Sequence, residues 1–379
     1  MLIKNGKVFC AEGNFKNVDL ELSDGVISAI DLEVDSDKKE MFDAKDCYVI
    51  PGLMDIHIHG AMGADFSDGS VEAIGEISTY LLSQGVTSFL GTTMALPEEN
   101  LRQICETAEP YIGRRIEGQA NLAGINLEGP FFNQGKRGAQ NPEHIIAADF
   151  AMFSRLYEAS GNGIRTVAVA PEISGGLDFV RQASKISNVS LAHSAADYEV
   201  ATEAFHCGAN HVTHLFNGMA PFNHRNPGIV GASMDAGAYV EVISDGIHLH
   251  PSVVRAAFKL YGDDHVCLIS DSMRACGLTD GAYDLGGQKV TVKGATARIE
   301  SGSIAGSVTV LMDCFRKAVA FGIPLESVVK AATINPAKSV GLEREIGSIE
   351  VGKRADILIL DDQLNLRAVI ANGKVMTKE

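Results

Sequence analysis

The chain has 379 residues, 46% of them hydrophobic and 21% charged, a balance that supports a large buried core and excludes wholesale disorder. The 32 basic residues against 48 acidic ones give a net charge of −16, which argues against a nucleic-acid or anionic-membrane binder. No apolar run approaches the roughly 18 residues of a membrane helix, Met1 leads into no apolar leader, and seven cysteines with no C-x-x-C pair read as reduced thiols of a cytoplasmic protein.

The first fifty residues read as short strands. Leu2 to Phe9 carries an Asn5-Gly6 turn, Val18 to Leu22 alternates, and Ser23-Asp24-Gly25 turns into Val26 to Ile30, which predicts a small half-buried antiparallel sheet. From about residue 51 apolar runs recur between longer segments able to hold a helix. The eight runs are 54–59, 86–91, 122–128, 166–170, 189–194, 211–216, 240–245 and 266–271. Eight such units across about 290 residues fit a (β/α)8 TIM barrel in number and length. A doubly wound open sheet has the same local pattern. The barrel is favoured because reactive residues end at least five of the runs, and a barrel gathers those ends around one mouth. Beyond about residue 345 come a turn-rich segment from Gly347 to Lys353, a strand from Ala355 to Asp361, and a hairpin around Asn372-Gly373. These strands are too few to fold alone. The expectation is an α/β chain in which residues 1–50 and 346–379 together form a small β-sandwich domain and residues 51–345 form the catalytic barrel.

His57-Ile58-His59 ends the first run, and residues two apart on a strand face the same way, so both imidazoles point into the mouth with Asp55 below them. Two histidines on one strand end are half a metal site; two hydrogen-bonded histidines in a polar pocket are the plainer reading. Glu128 ends the third run before Gly129-Pro130, His193 ends the fifth, His214 the sixth and Asp271 the eighth. His211, three residues before His214, faces the other way and reads as structural. Four imidazoles and two carboxylates at one mouth fit one or two divalent ions with nitrogen and oxygen ligands, Zn²⁺ above all, then Fe²⁺, Mn²⁺ or Co²⁺, and Glu128 is placed to bridge two of them.

The stretch Pro51 to Gly60 resembles the strand-one signature of the amidohydrolase superfamily, and Gly347 to Asp361 resembles its C-terminal return strand. More narrowly, Leu127-Glu128-Gly129-Pro130-Phe131, Ala192-His193-Ser194, Val212 to Asn217, Asp245-Gly246-Ile247-His248 and Ser303 to Ser307 resemble the N-acetylglucosamine-6-phosphate deacetylase family along essentially the whole chain. The resemblance implies a metal-dependent hydrolase that releases acetate from an amino-sugar phosphate. It implies Glu128, His193 and His214 as the main metal site, with His57 and His59 as in members holding a second ion. Asp271 would be the catalytic acid/base as well as a metal neighbour, Ala139 and Gln140 a substrate segment, and Ile304-Ala305-Gly306 the acetyl-sugar contact. Some members carry His where Gln140 stands; Gln can donate to a carbonyl but carries no charge. Asn217, Gly218, Arg225 and His248 would hold the sugar phosphate. Arg225 suits it because a guanidinium fork binds two oxygens, and it stands in a Pro-bounded loop able to reach across a homodimer interface.

The segment 132–138, with two glycines, is a lid candidate, and Lys136 and Arg137 within it read as solvated charges. The nearest alternative is the same chemistry on N-acetylgalactosamine 6-phosphate. A cyclic-amide hydrolase of the same superfamily lacks support, because the fourth run offers no lysine for carbamylation. A non-catalytic sugar-phosphate-binding regulator would not need Asp271 beside a full ligand set.

Overall fold

The computed structural model describes residues 1–30 and 40–378. Eight parallel strands hydrogen-bond in sequential order: β1 (Leu53–Ile58), β2 (Val86–Thr92), β3 (Asn121–Glu128), β4 (Ile164–Val169), β5 (Asn188–Leu191), β6 (His211–Val212), β7 (Tyr239–Val242) and β8 (Val266–Leu268). A helix follows each: α1 (Val71–Ser83), α2 (Glu98–Ala108), α3 (Phe150–Ala159), α4 (Gly176–Ala183), α5 (Tyr198–His206), α6 (Gly228–Ala236), α7 (Pro251–Tyr261) and α8 (Leu311–Ala320). β1, β2 and β3 are buried along their whole length, as strands sandwiched between a barrel interior and a helical shell must be. The barrel closes just past the last ladder. Asp271 N–H donates to the His57 carbonyl at 2.9 Å and His59 N–H to the Ser272 carbonyl at 2.9 Å, while buried Asp55 accepts from Ser270 Oγ at 2.5 Å.

Helix starts follow local chemistry. Ser70 Oγ accepts Ala73 N–H at the start of α1, Asp149 accepts Met152 N–H at α3, and Asp197 accepts Val200 N–H at α5, each such cap contributing about 1 kcal/mol. In α1, Ile74, Ile77, Leu81 and Leu82 recur at helical spacing and are the buried face.

The later strands are shorter than their apolar runs. β5 stops before His193, β6 before His214 and β8 before Asp271, because these residues take φ of 44°, 29° and 49°, outside the extended region. An element the eight-run pattern does not predict lies between β8 and α8. Gly281–Leu285, Gln288–Lys293 and Thr296–Ile299 form a three-stranded antiparallel sheet, turned at Gly286-Gly287 with both φ positive. Its Leu285, Val290 and Ala297 pack with Met94, Met273 and Ala305, so it walls one side of the mouth.

Both termini build the second body. One six-stranded sheet runs Lys374–Lys378, Leu366–Ala371, Ile357–Leu360, Tyr48–Pro51, Lys7–Phe9, Phe15–Asn17; a four-stranded sheet runs Val26–Ile30, Leu20–Ser23, Leu2–Lys4, Met41–Asp43. The smaller sheet is not wholly antiparallel as predicted, since Leu2–Lys4 pairs parallel to Met41–Asp43. Ile3, Val8, Leu20, Val49, Ile357 and Ile370 from both sheets share one core. Among the described residues no helix is long and apolar enough to cross a membrane.

Candidate metal and active site

Glu128 ends β3, and four imidazoles converge on it. Its Oε1 lies 3.3 Å from His193 Nε2, 3.2 Å from His214 Nε2 and 3.5 Å from His57 Nε2; its Oε2 lies 3.4 Å from His59 Nε2. Asp271 Oδ1 is 3.5 Å from His57 Nε2 and 3.4 Å from His59 Nε2. The donors fall into two groups with metal-ligand proximity, His57–His59–Glu128 and Glu128–His193–His214, all buried and sharing Glu128.

Several features fit a cation. His193 and His214 point their Nε2 atoms at one another across 3.1 Å, and His193 Nδ1 lies 2.9 Å from the Lys136 carbonyl. A carbonyl only accepts, so the proton sits on Nδ1 and the Nε2 lone pair faces Glu128. His57 Nε2 is buried without a hydrogen-bond partner, although two carboxylate oxygens stand near it. Burial opposes positive charge at His57, yet the carboxylates of Glu241, Glu128 and Asp271 favour it; the cavity is built to receive a cation. Lone pairs and carboxylate oxygens gathered in a buried site are what a cation would complete. The set of imidazoles and carboxylates, with no thiolate, is one that a divalent metal takes.

Glycines make room for these ligands. A Cβ on Gly218, at φ 61°, would stand 2.9 Å from His193 Nδ1, and one on Gly306, also at φ 61°, 2.9 Å from the Asp271 carbonyl. The positive φ of His193, His214 and Asp271 costs of order 1–3 kcal/mol each and turns each side chain inward at the strand end.

Above the ligands is a pocket of about 300 Å³ whose lining includes Ala139, Gln140, Asn217, Gly218, His248, Ile304 and Gly306 together with His59, Glu128, His193, His214 and Asp271. His248 Nδ1 lies 2.7 Å from Asp245 Oδ2, and Asp245 Oδ1 accepts the Ile247 and His248 N–H groups, so the ring is held with Nε2 free for a ligand. Asn217 commits its amide nitrogen to the His214 and Leu215 carbonyls, leaving its oxygen.

Arg225 is exposed and lines a separate depression with Asp197, Tyr198 and Asn226. Three expectations change. Ala305 is wholly buried in the core of the three-stranded wall, so its side chain does not line the pocket. Gln140 is not free to face a ligand with its whole amide: Oε1 accepts Ala95 N–H at 2.8 Å and Nε2 donates to Glu128 Oε2 at 2.7 Å, so it also steadies Glu128. Lys136 is no solvated charge, since its Nζ donates to the Met219 carbonyl at 3.2 Å.

Two residues escaped the sequence reading. Glu241, inside β7, is fully buried between His57, His211 and the backbone of His214. Burial opposes its ionisation, but His57, which bonds its Oε2, and His211, 3.2 Å from its Oε1, bring its pKa to about 2. The sequence signal was a carboxylate in Val240-Glu241-Val242, an interior position where an unpaired charge is costly. Glu172 accepts from Asn133 Nδ2, Ser194 Oγ and Ala195 N–H, tying the loops on either side of His193.

Comparison with known proteins matches residues 48–376 to the amidohydrolase family. The N-acetylglucosamine-6-phosphate deacetylase of Bacillus subtilis is 35% identical over 99% of this chain and 96% of its own. The N-acetylgalactosamine-6-phosphate deacetylase of Escherichia coli O157:H7 is 31% identical over 99% of this chain and 98% of its own. A variant of the N-acetyl-D-glucosamine-6-phosphate deacetylase of Mycobacterium smegmatis, solved with N-acetyl-D-glucosamine-6-phosphate, superposes with a TM-score of 0.93 over 100% of this chain and 99% of that one at 28% identity. The chain belongs to the amidohydrolase family.

Proposed function

We infer that the protein hydrolyses the N-acetyl group of N-acetyl-D-glucosamine 6-phosphate, giving D-glucosamine 6-phosphate and acetate. The observation that carries this reading is the pair of buried ligand groups sharing Glu128 at the floor of the pocket, with Asp271 beside His57 and His59. Glu128, His193 and His214 would hold one divalent ion and His57 and His59 a second, with zinc the ion that best suits this donor set. Such a metal supplies a Lewis acid that polarises an amide carbonyl and brings the pKa of water to around 7.

The chain's own groups do the rest. Asp271 is held below the usual carboxylate range: burial opposes this, but His57 and His59 outweigh it. It is therefore an ionised base, which takes a proton from the attacking water and hands it to the departing nitrogen as the C–N bond breaks. Gln140 keeps one amide hydrogen for the carbonyl oxygen while bracing Glu128. Ile304 and Gly306 take the acetyl side, and Asn217, Gly218 and His248 the sugar phosphate.

Among the described residues no Arg or Lys lines the pocket, whereas a phosphate carries close to two charges. We propose that two chains pair so that the Arg225 of one enters the mouth of the other. The seven free cysteines support a cytoplasmic setting. N-acetylgalactosamine 6-phosphate is a second reading, favoured by the E. coli relative.

The test is acetate release from both acetylated hexosamine 6-phosphates and from the unphosphorylated sugars. The gluco phosphate should be preferred. Arg225→Ala should raise KM for it about tenfold to a hundredfold, the worth of one or two charge-assisted bonds. Equal turnover without the phosphate would remove Arg225 and His248 from the site, and a galacto preference would select the second reading.

A further inference from the structure

We propose that Glu241 is a positioning residue that makes the His57–His59 group able to hold an ion alongside the one at Glu128, His193 and His214, so that metal stoichiometry is set from behind the ligands. The proposal rests on the metal-centre reading and goes beyond it by naming what decides whether the second group fills.

Glu241 Oε2 lies 2.9 Å from His57 Nδ1 and accepts the His214 N–H at 3.0 Å; Oε1 lies 3.2 Å from His211 Nε2. All four residues are buried. An ionised carboxylate can only accept, so it obliges the His57 proton onto Nδ1. The Nε2 lone pair then faces Glu128 and Asp271, both 3.5 Å away, and has no hydrogen-bond partner. Without that anchor the imidazole can carry its proton on Nε2 and donate to either carboxylate. The ring would then satisfy those oxygens itself, in place of a metal. Nothing behind His59 does the same task, since its Nδ1 is buried with no partner among the described residues. The second group therefore depends on the tautomer of His57.

The same side chain also accepts a backbone N–H beside the first group, a task that a glutamine oxygen can equally perform. His214 sits at φ 29°, a costly conformation, and its N–H is one of the three groups held by Glu241. One buried side chain on β7 thus braces a ligand on the β1 side and a ligand beyond β6. Outer carboxylates of this kind typically change metal affinity by about 10–100-fold.

The experiment is metal titration of the full-length protein, stripped by chelator and reloaded with Zn²⁺ or Mn²⁺ alone, with bound ions per chain counted by elemental analysis. Wild type should reach two ions. Glu241→Gln should reach one at metal levels that fill the wild type, its second ion weakened about 10–100-fold, matching a His57→Ala variant. The thermal midpoint of the stripped Gln variant should stay close to that of stripped wild type, which separates positioning from a general loss of fold. Should Glu241→Gln fail to fold, Glu241→Asp carries the same arm, its shortened carboxylate unable to reach His57 and His211 together. Two ions retained at wild-type affinity in these variants would overturn the proposal, as would a wild type that binds one ion only. Loss of both ions together in Glu241→Gln would also overturn it, since the effect would then not be selective for the His57 group. A wild type that binds two ions yet releases no acetate would count against the proposed activity and leave the role of Glu241 standing.

Discussion

Glu128 meets four imidazoles within 3.5 Å, and the residues around it divide by what their second atoms do. His193 is steered by a carbonyl and His57 by a carboxylate, so both offer a lone pair forward. Asp271 has no such backing among the described residues and lines the pocket, which suits a group that moves a proton. Asp271→Asn should therefore cut turnover by about 10²–10⁴-fold while metal content, counted by elemental analysis, stays at the wild-type value. Loss of metal together with turnover would recast Asp271 as chiefly a ligand. At this scale the ligands were legible because each is a polar residue that stops an apolar run. Glu241 was not, because it interrupts a run in its middle, and only the closed barrel brings β7 behind the histidine of β1. The commitment of Gln140 to Ala95 and Glu128 was hidden for the same reason: the partners are 45 and 12 residues away along the chain.

Among the elements, β1 to β4 emerged close to the runs that predicted them, whereas β5, β6 and β8 are cut short where the chain enters positive φ. Hydrophobicity reports burial, and the segments past these strands are buried without being extended, so the apolar pattern runs on beyond the ladder. The three-stranded wall after β8 was missed because Gln288–Lys293 and Thr296–Ile299 alternate and carry exposed polar residues, unlike the barrel strands. Backbone packing between elements gives a sharper test. Gly91 in β2 has the Phe66 ring against it, and a Cβ there would stand 2.3 Å from a ring carbon. Phe66 is fully buried, so the ring has little room to retreat. Gly91→Ala should destabilise the protein by about 1–3 kcal/mol, read as a lowered denaturant midpoint with an unchanged slope. A midpoint equal to wild type would mean that this corner of the barrel relaxes freely.

Over the whole molecule, one β-sandwich is laced from both ends of the chain around a barrel. Tyr48–Pro51 pairs antiparallel with Ile357–Leu360, so the strand that feeds β1 is held by the segment that returns after α8. This much could be read from the sequence, since terminal strands too few to fold alone must find each other. For the loop carrying Arg225 the sequence offered only a reach across a homodimer interface, and within one chain Arg225 lines a depression with Asp197, Tyr198 and Asn226. The net charge of −16 bears on this: an acidic protein that takes a phosphate must supply cations locally, and among the described residues the pocket lining contains neither Arg nor Lys. The central claim is that a divalent metal at Glu128 and its histidines drives amide hydrolysis of an amino-sugar phosphate. The most direct measurement is acetate and free amine released together from N-acetyl-D-glucosamine 6-phosphate, before chelation, after it, and after a divalent ion is restored. The account predicts one acetate per amine, activity abolished by chelation and recovered with the ion. Full activity in the metal-free protein, or no acetate from the metal-loaded one, would contradict it.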